Sequence, residues 1–459
     1  MDSLSHLAEL TAGRLRGADA RFVAVSTDTR SLQPGEVFFA LRGPRFDAAA
    51  FVAEAAAGGA VGAVVEQPVA AAISQVEVAD TRQALAVYAA HWRRLMATPV
   101  IGITGSNGKT TVKELCAGIM RMHWPQDAPS QVLATAGNLN NEIGVPLTLL
   151  RLRPEHRVAV VEMGASKPGD IAFLAGLARP QVAILTSIGR AHIETMGGID
   201  GVARTKGELL DGLEAAATAV LNKDSAYFPE LCDRAKPATV VSFGSMPDAD
   251  FFATDVQPEI QAGQPGFRFT MHTPAGAHAM RLPLAGRHNV QNALAAAAAT
   301  LAAGATIADV ARGLASARNV AGRLRMCTLA SGAILYDDSY NANPDSVAAA
   351  IDALRSVAGD TLLVLGDMGE LGAEAEELHA AIGRHARAAG AARLYCTGQL
   401  SRATAAAFGD GAEWFAELDD LRAALLPELT DGRHVLVKAS RFMGLDRLVA
   451  ALTADSEGG

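Results

Sequence analysis

Predominantly apolar short runs lie at 100–104, 158–163 and 182–186, with further runs at 219–221 and 240–243. Segments with apolar residues three and four apart lie between them. That pattern predicts strands buried on both faces of a largely parallel sheet, with helices as the crossovers. A second series, at 334–337, 362–366, 393–397 and 435–438, alternates with helical patterns such as 344–357. It reads as a doubly wound α/β unit, whose ligands sit at the carboxyl ends of strands. Residues 267–271 alternate with period two and pair with 278–282 across a turn at 274–276, predicting a hairpin. Before residue 97 the signals are strands at 22–25, 37–41 and 63–66, with an alanine-rich helix at 48–57. Joints at 96–99 and 315–322 then give an α/β chain of three domains. A small α/β domain spans 1–97, a central mostly parallel domain 98–317, and a C-terminal Rossmann-like domain 318–459.

Composition narrows the function. The 459 residues are 50% hydrophobic, ample for packed cores, and Lys+Arg 40 against Asp+Glu 49 leaves a net charge of −9. A general nucleic-acid or anionic-membrane binder usually has the opposite sign. Cys116, Cys232, Cys327 and Cys396 are far apart in sequence, which reads as free thiols in a reducing compartment. The longest apolar stretch, 293–305, is mostly alanine and shorter than the ~20 residues a membrane span needs. The N-terminus has no basic segment followed by an apolar one, so no signal peptide is evident. A soluble cytoplasmic protein, monomeric and without a nucleic-acid partner, is expected.

One strand-to-helix junction carries chemistry. Residues 100–111 read V-I-G-I-T-G-S-N-G-K-T-T, and Val112, Leu115, Cys116, Ile119 and Met120 then share one helical face. Gly105 and Gly108 allow the backbone N–H groups around Ser106 and Asn107 to turn inward on phosphate oxygens, and the helix N-terminus adds a positive dipole end. Lys109 can reach terminal phosphates and the Thr110 hydroxyl suits Mg²⁺. The strict phosphate-loop pattern needs glycine at 103, where Ile103 stands. The shorter string T-G-S-N-G-K-T-T, ending at Thr111, resembles the ATP-binding loop of the Mur ligases, cytoplasmic enzymes that build the peptide stem of bacterial cell-wall precursors.

Two buried-looking strands end in candidate metal ligands, Glu162 in V-V-E-M-G and His192 in S-I-G-R-A-H-I-E. Mg²⁺ prefers oxygen and seldom takes histidine, so His192 alone says little. The resemblance implies that Glu162 and His192 bind magnesium. Lys206 follows in T-K-G-E. As an ammonium it has three donors and no acceptor, and cannot ligate a metal. The resemblance implies that it is carbamylated by CO₂, which makes it an anionic ligand and, with Lys109 and His192, part of the catalytic set.

Other segments match the family in order. Residues 136–146 carry three asparagines within four positions, and their likeness to a substrate-side loop marks Asn138 and Asn141. In H-N-V-Q-N at 288–292, Asn292 matches the family's contact to the ATP base. Arg323 in G-R-L-R matches an arginine reaching ATP from the third domain. The string D-D-S-Y-N-A-N-P at 337–344 makes Asp338 a ribose contact and places Asn341 and Asn343 toward the reacting groups. It is joined by G-D-M-G-E-L-G at 366–372 and by V-K-A-S-R at 437–441, where Lys438 and Arg441 are cations suited to carboxylates. Near the N-terminus Ser26, Thr27, Asp28, Thr29 and Arg30, with P-G-E-V-F at 34–38 and A-L-R-G at 40–43, resemble a uridine-diphosphate domain. Where the family often has histidine, this chain has Ala49.

The resemblance implies UDP-N-acetylmuramoyl-tripeptide and D-alanyl-D-alanine as substrates, ATP and Mg²⁺ as cofactors, and an acyl phosphate route that releases ADP and phosphate. A sister ligase or a folylpolyglutamate synthetase shares the ATP loop, and residues 337–343 are what distinguish them. A phosphate-loop kinase or ATP-dependent regulatory module is the rival of a different class. It has no need of a third α/β domain or of Arg323.

Overall fold

A computed structural model describes residues 2–43, 46–124, 131–261, 264–355 and 360–457. The chain divides into two compact units. One comprises residues 1–102, 126–164 and 170–181, the other 103–125, 165–169 and 182–459.

In the first unit, Arg14–Arg16, Gln75–Glu77, Gly62–Val65, Val37–Phe39 and Val25–Ser26 form a sheet in that order. All neighbours are parallel except the first pair. Phe38, Val52, Ala63 and Val65 pack as its core. The strand expected at 22–25 is two short ones, Arg21–Phe22 and Val25–Ser26, which join different sheets. The helix expected at 48–57 opens as a 3₁₀ turn, Ala48–Phe51, and continues as Val52–Ala57. Asp47 caps it by accepting the Ala49 N–H at 2.9 Å. The same unit holds Val132–Ala134 and Val158–Glu162, paired in parallel.

In the second unit, Val182–Leu185, Thr218–Asn222 and Thr239–Phe243 are parallel neighbours. The helix Lys109–His123 packs against His288–Ala302 and Ile307–Ala315. The latter approach is close, because a Cβ on Gly313 would lie 2.6 Å from Ile119 Cα. The hairpin expected at 267–282 is present but belongs to a three-stranded antiparallel sheet, Phe252–Gln261, Gln264–Thr273 and Gly276–Leu282. Its first strand escaped the alternation test because the register shifts between Thr254 and Gln257, where Asp255 has φ 53°.

The C-terminal sheet runs Arg325–Thr328, Ile334–Asp337, His434–Lys438, Thr361–Gly366, Arg393–Thr397, Ala412–Phe415. Only the first pair is antiparallel. Leu363 and Leu365 enter one core, Leu362 and Val364 another. That is the two-faced burial expected of unbroken apolar strands. The edge strands Arg325–Thr328 and Ala412–Phe415 are short and partly exposed, and gave no such signal. The helix expected at 344–357 is Pro344–Leu354, and Val357 lies outside the described residues. Among the described residues no helix is long and apolar enough to cross a membrane.

Candidate functional site

The fully buried strand Val100–Thr104 leads into the loop at 105–108 and the helix Lys109–His123. Gly108 caps that helix with φ 83°, and Gly105 has φ 146°. Both glycines are sterically required. A Cβ at 105 would sit 2.0 Å from Thr186 Oγ1, and one at 108 would sit 2.4 Å from Asn292 Oδ1.

Residues 186–189 brace the loop. Thr186 Oγ1 donates to Asn107 O at 2.6 Å, Asn107 N donates to Ser187 Oγ at 3.0 Å, and Ser106 Oγ donates to Gly189 O at 3.0 Å. Lys109 Nζ folds back onto the carbonyls of Gly105 (2.7 Å) and Ser106 (3.3 Å), which places the cation at the mouth of the loop.

The segments after residue 316 close on this loop. Arg323 Nη2 donates to Thr110 Oγ1 at 3.5 Å, and its guanidinium lies over the Tyr340 ring at 4.3 Å. Asn343 Nδ2 donates to Asn107 Oδ1 at 2.8 Å. Arg190 N donates to Asp345 Oδ2 at 2.8 Å. His192 Nδ1 meets the Glu370 carboxylate. Burial pushes the His192 pKa down, against the opposing pull of Glu370. The result favours the neutral imidazole that a metal takes. A cleft of about 300 Å³ opens beside Thr111, Glu114, Leu115, Asn289, Asn319 and Arg323. Asn292 donates to Asn289 Oδ1 at 2.8 Å next to it.

The adjacent carboxylates Asp337 and Asp338 are both buried. Asp337 Oδ2 accepts the Gly322 N–H at 2.9 Å, and Asp338 Oδ1 accepts the Leu324 N–H at 3.1 Å. Lys438 is buried too, with its ammonium 2.6 Å from Asp338 Oδ2 and 2.8 Å from Asn341 O. Its cation is thus engaged inside the C-terminal fold, and burial lowers its pKa against the pull of Asp338. Asn341 is exposed. Arg441 is exposed, pairs with Asp446 Oδ2 at 3.2 Å and lies 5.4 Å from the Tyr340 ring centre. Lys206 is 1% exposed, within the helix Gly198–Gly207.

The first unit carries the remaining candidates. Glu162 ends its strand at 2% exposure. Its Oε1 accepts from Asn140 Nδ2 at 2.7 Å, while Oε2 is buried without a hydrogen-bond partner among the described residues. A buried carboxylate oxygen with no donor is costly unless a cation meets it, so Glu162 fits a divalent metal. Asn141 Oδ1 instead accepts the N–H groups of Ile143 (3.2 Å) and Gly144 (2.9 Å) at the start of a helix, and Asn138 is exposed. In the 26–30 loop, Ser26 Oγ donates to Asp28 O at 3.0 Å, and Arg30 forks onto Asp28 at 2.6 and 2.9 Å. That pairing holds the Asp28 carboxyl down at about 2. Thr27 and Thr29 share the loop.

Asn140, Glu370 and Asp337 are among the residues of these clusters that sequence reasoning did not single out. The first is the middle member of the 138–141 asparagine group. The other two lie inside motifs already quoted, but nothing in a strand-end string says which way a carboxylate turns.

A phosphate loop completed by an arginine and an asparagine from segments flanking the strand Ile334–Asp337 of the same unit defines an ATP-dependent ligase architecture. Residues 103–300 match the Mur ligase middle domain and 322–441 the Mur ligase glutamate ligase domain. The chain belongs to the Mur ligase family. It is 42% identical over 98% of both chains to UDP-N-acetylmuramoyl-tripeptide–D-alanyl-D-alanine ligase of Escherichia coli. A crystal structure of MurF from Acinetobacter baumannii superposes with TM-score 0.89 at 35% identity, covering 98% of each chain. MurF ligase from Thermotoga maritima in complex with ADP gives 0.81 at 27% identity, over 95% of this chain and 98% of that one.

Proposed function

We propose that this chain joins UDP-N-acetylmuramoyl-tripeptide to D-alanyl-D-alanine, cleaving ATP to ADP and phosphate. It is an ATP-dependent ligase of peptidoglycan precursor synthesis. The observation that carries the reading is the approach of Arg323 to Thr110 while Asn343 holds Asn107. A nucleotide triphosphate on the loop then meets groups from the C-terminal α/β fold as well as its own helix.

A carboxylate does not condense with an amine in water unaided. Phosphoryl transfer from ATP to the tripeptide's terminal carboxylate gives an acyl phosphate. The dipeptide's free amine then attacks the carbonyl carbon, and phosphate leaves. The first step brings two anions together. The loop N–H groups of residues 105–111, Lys109 and Arg323 supply fixed positive potential there. Mg²⁺, when bound, adds charge neutralisation at the phosphates. The family resemblance assigns it to Thr110, Glu162, His192 and a carbamylated Lys206, and the Glu162 Oε2, without a hydrogen-bond partner among the described residues, supports a cation at that carboxylate. Glu370 keeps the His192 imidazole oriented.

The cleft beside Asn289 and Asn319 receives the nucleoside, with Asn292 toward the base and Asp338 toward the ribose. Residues 26–30 take the uridine diphosphate. Asn138, Asn141, Asn341, Asn343 and Arg441 serve the peptide substrates, and Lys438 serves them through Asp338 and the Asn341 carbonyl. The domain bounds on this reading are 1–97, 98–317 and 318–459. The setting is the cytoplasm and the working form a monomer.

The mass of the nucleotide-sugar product tests the proposal. Incubation with ATP, Mg²⁺, the UDP-tripeptide and D-alanyl-D-alanine should add one dipeptide less one water. ADP release with no mass gain would instead indicate a kinase or an uncoupled ATPase.

A further inference from the structure

Arg323 sits between two residues in left-handed backbone, Gly322 at φ 72° and Leu324 at φ 49°. Leucine rarely adopts that region, so this turn needs to be held by its surroundings. Two carboxylates and one backbone amide hold it. Asp337 Oδ2 takes the Gly322 N–H and Asp338 Oδ1 takes the Leu324 N–H, one on each side of the arginine. Tyr340 N donates to Gly322 O at 3.2 Å, and its ring supports the guanidinium.

We infer that Asp337 is a positioning residue for nucleotide binding, acting through the backbone of residue 322 to aim Arg323 at the phosphate loop. The inference rests on the reading of Arg323 as a nucleotide contact. Asp337 is not among the residues lining the cleft. Its other oxygen accepts Ser339 N at 3.1 Å and Ser339 Oγ at 2.6 Å, so three donors of its own segment and the Arg323 turn already engage the carboxylate. Asp338 differs, because Lys438 balances its charge. The two neighbouring carboxylates thereby divide the work. One is balanced by a cation, the other stabilised by hydrogen bonds, and together they fix the turn.

A double-mutant cycle on ADP affinity tests this. Arg323→Ala and Asp337→Asn should each raise the ADP Kd about tenfold, since asparagine cannot accept at both positions that Asp337 now fills. In the Arg323→Ala background, Asp337→Asn should then change Kd less than twofold. A full tenfold loss in that background would overturn the inference while leaving Arg323 as a nucleotide contact. An Arg323→Ala protein that binds ADP normally would overturn the underlying reading, and the inference with it. A measurement on the unaltered chain guards against a misfolded variant. Without nucleotide, the Gly322 and Leu324 amides should be protected from hydrogen exchange, and exchange at the rate of an open peptide would sink the clamp.

Discussion

Asn343 spends its one side-chain carbonyl twice. Its Oδ1 accepts the Ser346 N–H at 2.9 Å, capping the helix Pro344–Leu354, and also receives Asn107 Nδ2 at 3.4 Å, while its own Nδ2 donates to Asn107 Oδ1 at 2.8 Å. A helix cap is thereby fastened to the phosphate loop. The two roles separate by substitution. Asn343→Ala should cost about 1 kcal/mol of stability through the lost cap, and should weaken ADP binding as well. Asn343→Asp retains the cap and should melt near the parent temperature, yet it loses the donor to Asn107 and adds a negative charge beside a phosphate site. Its ADP affinity should fall several-fold. Paired thermal melts and calorimetric titrations check this. An equal stability loss in both variants would mean that the cap is not what Asn343 contributes.

Gly108 should not tolerate alanine. Its φ of 83° carries a penalty of roughly 1–2 kcal/mol for an L-residue, and the new methyl would meet Asn292 Oδ1 at 2.4 Å. The relief is a displaced loop, so ADP affinity should drop more than tenfold. Gly176→Ala, in the helix Asp170–Ala178 with open space around it, is the control. It should gain up to about 1 kcal/mol from helix propensity and leave ADP binding alone. A Gly108→Ala protein with normal affinity would remove the steric argument.

The phosphate loop, the paired strand–helix units and the buried parallel strands were legible because each leaves a local trace. Glycines punctuate 105–108, and predominantly apolar runs mark strands covered on both faces. Edge strands such as Ala412–Phe415, and the bulged Phe252–Gln261, leave none, since half-exposure and a register shift erase the alternation. At the site, Arg323 was marked by the family resemblance, while residue type pointed to Lys109 as the cation of the loop. It foretold less about amides and carboxylates. Asn141, still exposed, turned onto the Ile143 and Gly144 N–H groups at the start of a helix while its neighbour Asn140 reached Glu162, a difference of one residue set by how the loop folds. Lys438 read as a strand-end cation suited to carboxylates, and the carboxylate that the fold sets beside it is Asp338.

Acid should loosen the helix that packs on the phosphate-loop helix. Burial pushes the Asp309 carboxyl up, but the Thr306 N–H and hydroxyl and the nearby His123 outweigh it and hold the pKa at about 2, below the usual 3.8. A depressed folded pKa contributes stability that is complete above the unfolded value and is lost as the solution is acidified from about pH 4 toward pH 2. Asp309→Asn should therefore lower stability by about 2 kcal/mol at pH 7, and the gap to the parent should shrink below pH 4. Denaturant midpoints at pH 7 and pH 3 measure it. A gap that stays constant would show that the charge is not what matters.

Lys206 presents the sharpest chemical question. Its side chain lies at 1% exposure in a helix of the same unit as Lys109 and His192, and its charge is among those that lower the His192 pKa. An ammonium near a magnesium site repels the metal, and it has no lone pair to offer. Carbamylation reverses both defects, because the neutral amine attacks CO₂, loses a proton and becomes an anion with two acceptor oxygens. The protein equilibrated with ¹³C-labelled bicarbonate should therefore show a carbamate carbon resonance that is absent in Lys206→Ala. The variant should also lose ligase activity by at least about a hundredfold, the scale on which removing a charge-stabilising group acts. Stripping CO₂ from the parent should reproduce that loss reversibly. Full activity in Lys206→Ala, or no labelled resonance in the active parent, would leave Lys206 as a buried structural cation.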